Sequence, residues 1–178
     1  LPDEKKERFI KEHNLSSYEA NILVSEKEIS NYYEETIKGC DKKLASNWIT
    51  GELFAVLNKK NLSISQSPVS AKNLSTLIKM IISGKISGKI AKDVFEKMQD
   101  NDKDPRQIVE KEGLIQQSDP KELEKIVLEV ISKNHDKVAQ YKSGKVKLFG
   151  YFVGEVMKVS KGKANPQLVN EILKTKLK

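Results

Sequence analysis

Apolar residues recur along this chain at spacings of three and four, which marks helix faces turned toward a core. In residues 41–60, Leu44, Trp48, Ile49, Leu53, Val56 and Leu57 share one stripe. In 120–133, Leu123, Ile126, Val127, Val130 and Ile131 do the same. No stretch shows the alternation of a half-buried strand. The spacing predicts helices over Pro2 to Asn14, Ser17 to Val24, Ser25 to Lys38 and Asp41 to Lys60. Further helices are predicted over Ala71 to Ile82, Ser87 to Gln99, Pro105 to Glu112 and Pro120 to Lys133, then Asp136 to Lys142, Lys145 to Lys161 and Pro166 to Leu177.

Stop and start signals support these bounds. Asp41, Ser87, Asp104-Pro105, Asp119-Pro120 and Asn165-Pro166 are N-cap signatures, because a short oxygen-bearing side chain accepts the orphan N–H groups of a first turn. Ser25 with Glu28, and Asp119 with Glu122, have the spacing of capping boxes. Residues 61–69 read as a linker, and a domain boundary is placed near 115–119. The expectation is an all-α protein. A helical connector domain spans 1–117, and a small tail domain of three to four helices spans 118–178.

Charge changes this picture. The chain has 178 residues and a net charge of +7. Residues 142–178 hold nine lysines against two glutamates and carry all of that excess, so residues 1–141 balance to zero. A localised basic patch selects for a polyanion. The single cysteine, Cys40, excludes an internal disulfide and fits a cytoplasmic setting. No apolar run approaches a membrane span, and the charged start without Met suggests a cut from something longer.

Catalytic signatures are weak. Gly84-Lys85-Ile86-Ser87-Gly88-Lys89-Ile90 has three residues between its glycines where a phosphate loop has four, and Ile90 stands where that loop needs Ser or Thr. His13 and His135 lack ligand partners at metal spacing and read as surface residues. Lys38, Lys42 and Lys43 near Cys40 could lower its pKa, but no general base accompanies it.

The stretch 144–165 carries the clearest chemistry. At 100° per residue, Phe149, Phe152, Val153 and Val156 form the core arc. Lys147, Tyr151, Gly154, Lys158 and Lys161 recur on the opposite side, and Lys163 extends that stripe into the following loop. Lys145 projects elsewhere. A solvated face usually mixes signs, whereas this stripe holds no acid, although Glu155 lies beside it. Lysines beside an aromatic suit RNA.

The residues also resemble a family. Gly162-Lys163-Ala164-Asn165-Pro166-Gln167-Leu168-Val169-Asn170 resembles the closing motif of the B subunit of bacterial aspartyl/glutamyl-tRNA amidotransferases. Gly150-Tyr151-Phe152-Val153-Gly154-Glu155-Val156-Met157-Lys158 is similar to the run before it. Ile86-Ser87-Gly88-Lys89-Ile90-Ala91-Lys92 with Val94-Phe95, Asn47-Trp48 with Glu52-Leu53, and Leu1-Pro2 with Arg8-Phe9 follow the family order.

The resemblance implies an enzyme that amidates Glu-tRNA(Gln) or Asp-tRNA(Asn). Its ATP and Mg would be held in a catalytic domain outside this chain. Its partners would be tRNA, the amidase that forms the A subunit of the complex, and the small C subunit. Within these residues it implies no catalytic group and no cofactor. It implies tRNA binding on the tail, with Lys145, Lys147, Tyr151, Lys158, Lys161, Lys163 and Asn165 as the candidate contacts. Glu155 departs from the family, which often has Gln there. A free-standing YqeY-like protein and a protein-interaction module are the alternatives.

Overall fold

A computed structural model describes residues 1–178 and is helical throughout. The helices are α1 (Pro2–His13), α2 (Ser17–Val24), α3 (Lys27–Thr36), α4 (Lys42–Trp48), α5 (Phe54–Lys60) and α6 (Ala71–Ile82). They continue as α7 (Gly88–Met98), α8 (Pro105–Glu112), α9 (Pro120–Ser132), α10 (His135–Lys142), α11 (Leu148–Val159) and α12 (Pro166–Lys176). A π-helical turn at Ile49–Leu53 joins α4 to α5, so the predicted helix from 41 to 60 is continuous but locally widened. The only extended pairing is an isolated parallel bridge between Gln117 and Ala164.

The chain divides into two compact units, one formed by Leu1–Gly84 with Ala91–Glu112, the other by Lys85–Ile90 with Gly113–Lys178. In the first, α1 packs on α2, and α3 packs on α6, which also meets α4 and α8. Its buried residues include Phe9, Tyr33, Trp48, Leu53, Leu74, Leu77, Ile78 and Phe95. Trp48 meets Phe95 edge-on, with ring centroids 5.6 Å apart. In the second, α9 packs against α11 and α12, and α10 against α9 and α11. Leu123, Val127, Val130, Phe152, Val156, Val169, Leu173 and Leu177 form its core.

Several cap signatures act as predicted. Asp41 accepts from Leu44 N–H at 2.7 Å, Ser87 from Ile90 N–H at 3.1 Å, and Asp119 from Lys121 N–H at 3.0 Å. Two capping boxes are corrected. The Ser25 hydroxyl donates back to the Ile22 carbonyl at 2.7 Å, so Ser25 closes α2 instead of opening α3. Glu122 accepts from Lys125 at 3.1 Å on the helix surface and closes no box. A box does form at Ser16, where Glu19 N–H donates to the serine hydroxyl at 3.1 Å and the Glu19 carboxylate accepts from Ser16 N–H at 2.7 Å.

Two further expectations change. Residues 61–69 are no free linker: Ile64 and Val69 are buried, and the Tyr32 hydroxyl donates to the Val69 carbonyl at 2.7 Å. His13 is not a surface residue but is buried, stacked on Phe9 at 4.9 Å with Nδ1 3.0 Å from the Tyr33 hydroxyl. Burial first, then Lys42 and Arg8, hold its pKa below the ordinary histidine value. His135 is exposed, as predicted.

Candidate nucleic-acid interface

The tail stripe is built on α11 and the turns at its ends. Gly144, at φ 115°, takes a backbone conformation other residues avoid and lets the chain reverse after α10. The helix then starts at Leu148, with Lys147 as N-cap and no acid in the first turn. A cation there opposes the helix dipole, so this lysine does nothing for helix stability, while the end it occupies attracts anions. Lys158 lies in the last turn, where its charge suits the dipole.

The helix ends at Val159, earlier than the spacing predicts. Lys161 (φ 55°) and Gly162 (φ 77°) take left-handed conformations, and the Gly162 N–H donates to the Met157 carbonyl at 2.8 Å. Lys161 therefore leaves the helical stripe and stands exposed on the turn. Lys163 follows, half-buried, its carbonyl accepting from Gln117 N–H at 2.6 Å.

Two candidate residues prove to be structurally engaged. Asn165 caps α12, its Oδ1 accepting from Gln167 N–H at 3.1 Å and Leu168 N–H at 3.4 Å. Its amide nitrogen donates to the Ser118 hydroxyl at 3.2 Å, so both ends of the side chain are occupied. Tyr151, expected on the polar face, is half-buried against the tail core. Its hydroxyl donates to Asn134 Oδ1 at 2.8 Å, its ring meets Phe152 at 5.6 Å, and the Lys137 ammonium lies 3.7 Å from its ring centre. Periodicity could not have found Lys137, because it sits on α10 and reaches the stripe only through helix packing.

The lysines of the stripe are unpaired. The tail's ion pairs are Lys125–Glu122, Lys133–Glu129 and Lys176–Glu124, so Lys145, Lys147, Lys158, Lys161 and Lys163 face no carboxylate within 4.0 Å. All but Lys163 are exposed. Gly150 and Gly154 are also exposed, and a side chain added at either would meet no atom within 4 Å. Packing does not demand glycine at these positions, yet glycine within a helix costs roughly 0.5–1 kcal/mol relative to alanine. Bare backbone on a lysine face suits a ligand that approaches closely.

The other candidate positions are arranged differently. Burial pushes the Cys40 thiol up, contrary to the lowering expected from neighbouring lysines, and its Sγ donates to the Thr36 carbonyl at 3.2 Å. No group of three or more His, Cys, Asp and Glu side chains gathers to hold a metal ion. An open cleft of about 440 Å³ in the first unit is lined by Lys97, Lys103 and Lys111, but Lys97 pairs with Glu112 and Lys103 with Asp100. No helix is long and apolar enough to cross a membrane.

Known proteins bear on this arrangement. A family model described as the GatB domain matches residues 31–177. The chain is 62% identical over 181 residues to the B subunit of an aspartyl/glutamyl-tRNA(Asn/Gln) amidotransferase from Pelagibacter ubique. It is 48% identical to the protein of that name from Wolbachia pipientis and 49% identical to that from Granulibacter bethesdensis. Each match covers 99% of this chain and 37% of the relative, so the chain spans little more than a third of the length of these relatives. Family model and relatives agree, and the chain belongs to the family of amidotransferase B subunits.

Proposed function

We propose that this chain is the C-terminal, tRNA-binding part of an amidotransferase B subunit and holds the tRNA body without performing chemistry on it. The single observation that carries this reading is the set of lysines at 145, 147, 158, 161 and 163, left without carboxylate partners around one helix and its end turns. Like charges held together oppose folding, and a polyanion relieves that cost. Cys40 and His13, the two side chains nearest to catalytic chemistry, are taken up in hydrogen bonds within the fold, part-buried for Cys40 and buried for His13, which supports a non-catalytic role.

In the whole protein, ATP and Mg are bound by a separate catalytic domain. Ammonia comes from the amidase, the A subunit, which assembles with the small C subunit. The substrates are Glu-tRNA(Gln), Asp-tRNA(Asn) or both. The tail grips the tRNA body so that the acceptor end can move between the two reaction sites.

The test is the salt dependence of tRNA binding by the 178-residue chain. With five lysines on phosphates, log affinity should fall against log salt with a slope of about 3.5–4.5 in magnitude. A slope below about one would leave no room for this interface. ATP hydrolysis by the purified chain, abolished by a point substitution within it, would contradict the non-catalytic half.

A further inference from the structure

The geometry points to Lys137 as a further RNA-phosphate contact of the tail, with Tyr151 as the residue that positions it. This inference rests on the tRNA-binding reading above and adds to it a cation from a second helix. Lys147, Tyr151 and Lys158 lie on one side of α11, at steps of four and seven residues. Lys137 comes from α10, and its ammonium sits 3.7 Å from the centre of the Tyr151 ring.

What holds this lysine matters for what it can do. A carboxylate partner would order the side chain and cancel its charge. A ring face orders it through the electron-rich π surface and leaves the full positive charge in place. Asp136 is the adjacent residue, and Glu155 lies one turn beyond Tyr151, yet neither forms an ion pair with Lys137. An ordered but unneutralised ammonium loses less rotamer freedom when it meets a phosphate, which is the advantage of preorganisation.

The tyrosine is itself fixed. Its hydroxyl donates to Asn134 Oδ1 at 2.8 Å, and the Asn134 amide nitrogen donates to the Val130 carbonyl at 2.7 Å, which ties the ring to the end of α9. A ring so held, with Lys137 over one face, is a platform for the lysine. A base cannot stack on that face without displacing the lysine.

The test compares Lys137→Gln, Tyr151→Phe and Tyr151→Leu in the 178-residue chain, with a transcribed tRNA titrated at several salt concentrations and helical circular dichroism as the folding check. Lys137→Gln should reduce the salt slope by about 0.7–0.9. Tyr151→Phe keeps the ring face under the lysine and loses only its tie to Asn134, so the slope should hold and affinity should fall by less than in Tyr151→Leu. Tyr151→Leu keeps the lysine charge but frees it, so the slope should hold while affinity falls about threefold, in line with the modest cost of ordering one long side chain on binding.

An unchanged slope for Lys137→Gln, while Lys158→Ala with Lys161→Ala still lowers it, would overturn this inference and leave the tRNA reading standing. If neither lowers the slope, the tRNA reading itself fails. Equal losses for Tyr151→Phe and Tyr151→Leu would remove the positioning role of the ring. If Tyr151→Leu fails to fold, Lys137→Gln still decides the contact. Weaker binding of Lys137→Gln to polyglutamate but not to tRNA would assign the cation to an acidic protein partner and overturn the proposal.

Discussion

The two units of this chain differ in how far their ion pairs reach along the sequence. In the first, Lys5 and Arg8 meet Glu34 at 2.7 and 2.9 Å, Lys43 meets Glu19 at 2.6 Å and Lys92 meets Glu52 at 3.5 Å, each pair joining segments distant in sequence. In the second, only Lys176–Glu124, at 2.7 Å, links helices far apart in the chain. Exposed pairs contribute only about 0–1 kcal/mol each, so neither pattern is explained by stability alone. The difference lies in the balance of charge. In the first unit acids match bases almost one for one, even though Lys59 and Lys60 among others stay unpaired, whereas in the second bases outnumber acids about two to one.

The largest effect expected is on folding of the tail. Phe152 is fully buried at its centre, so Phe152→Ala should cost about 3–5 kcal/mol. Trp48, the only tryptophan, lies in the first unit. Denaturation should therefore show an early loss of helical dichroism with the Trp48 fluorescence transition almost unmoved. An equal shift in both signals would break the division into two energetically separate units.

Asn165→Ala should remove the cap of α12 at a cost of about 1–2 kcal/mol, while Asn165→Asp retains it. The salt slope of tRNA binding should be the same for Asn165→Ala and wild type. A slope lowered by the alanine variant would return Asn165 to the RNA interface. A smaller and opposite effect is expected at Gly154. Gly154→Ala should stabilise the tail by about 0.5–1 kcal/mol, since alanine suits a helix and meets no atom there, yet weaken tRNA binding. Stabilisation without loss of affinity would show that nothing approaches this bare backbone.

Much of this is legible in the sequence because it is local. The caps at Asp41, Ser87, Asp119 and Asn165 depend on residues two or three positions away, and the apolar stripes of α4, α9 and α11 depend on helical spacing alone. What stays hidden depends on contacts between helices. His13 reads as a surface residue because nothing near it in sequence reveals Phe9 and Tyr33 closing around it. The packed 61–69 segment is held by Tyr32, far back on α3. Periodicity puts Tyr151 on the polar face with Lys147, but α10 and the end of α9 cover that part of the helix with Lys137 and Asn134. Lys161 leaves the stripe because the Lys161–Gly162 turn ends the helix early.

The central claim is that the unpaired lysines of the tail carry the electrostatic affinity for tRNA. Its most direct test titrates tRNA at several salt concentrations against wild type, Lys158→Ala with Lys161→Ala, and a control double variant from the charge-balanced residues 1–141. Lys5 is unsuitable for the control because it is paired with Glu34. Lys59 and Lys60 are exposed at the end of α5 and serve better. The tail variant should lower the salt slope by roughly 1.5 and keep its helical dichroism, and the control should match wild type. Equal losses in the two double variants, or a loss in the control alone, would contradict the claim and place the tRNA contact elsewhere on the chain.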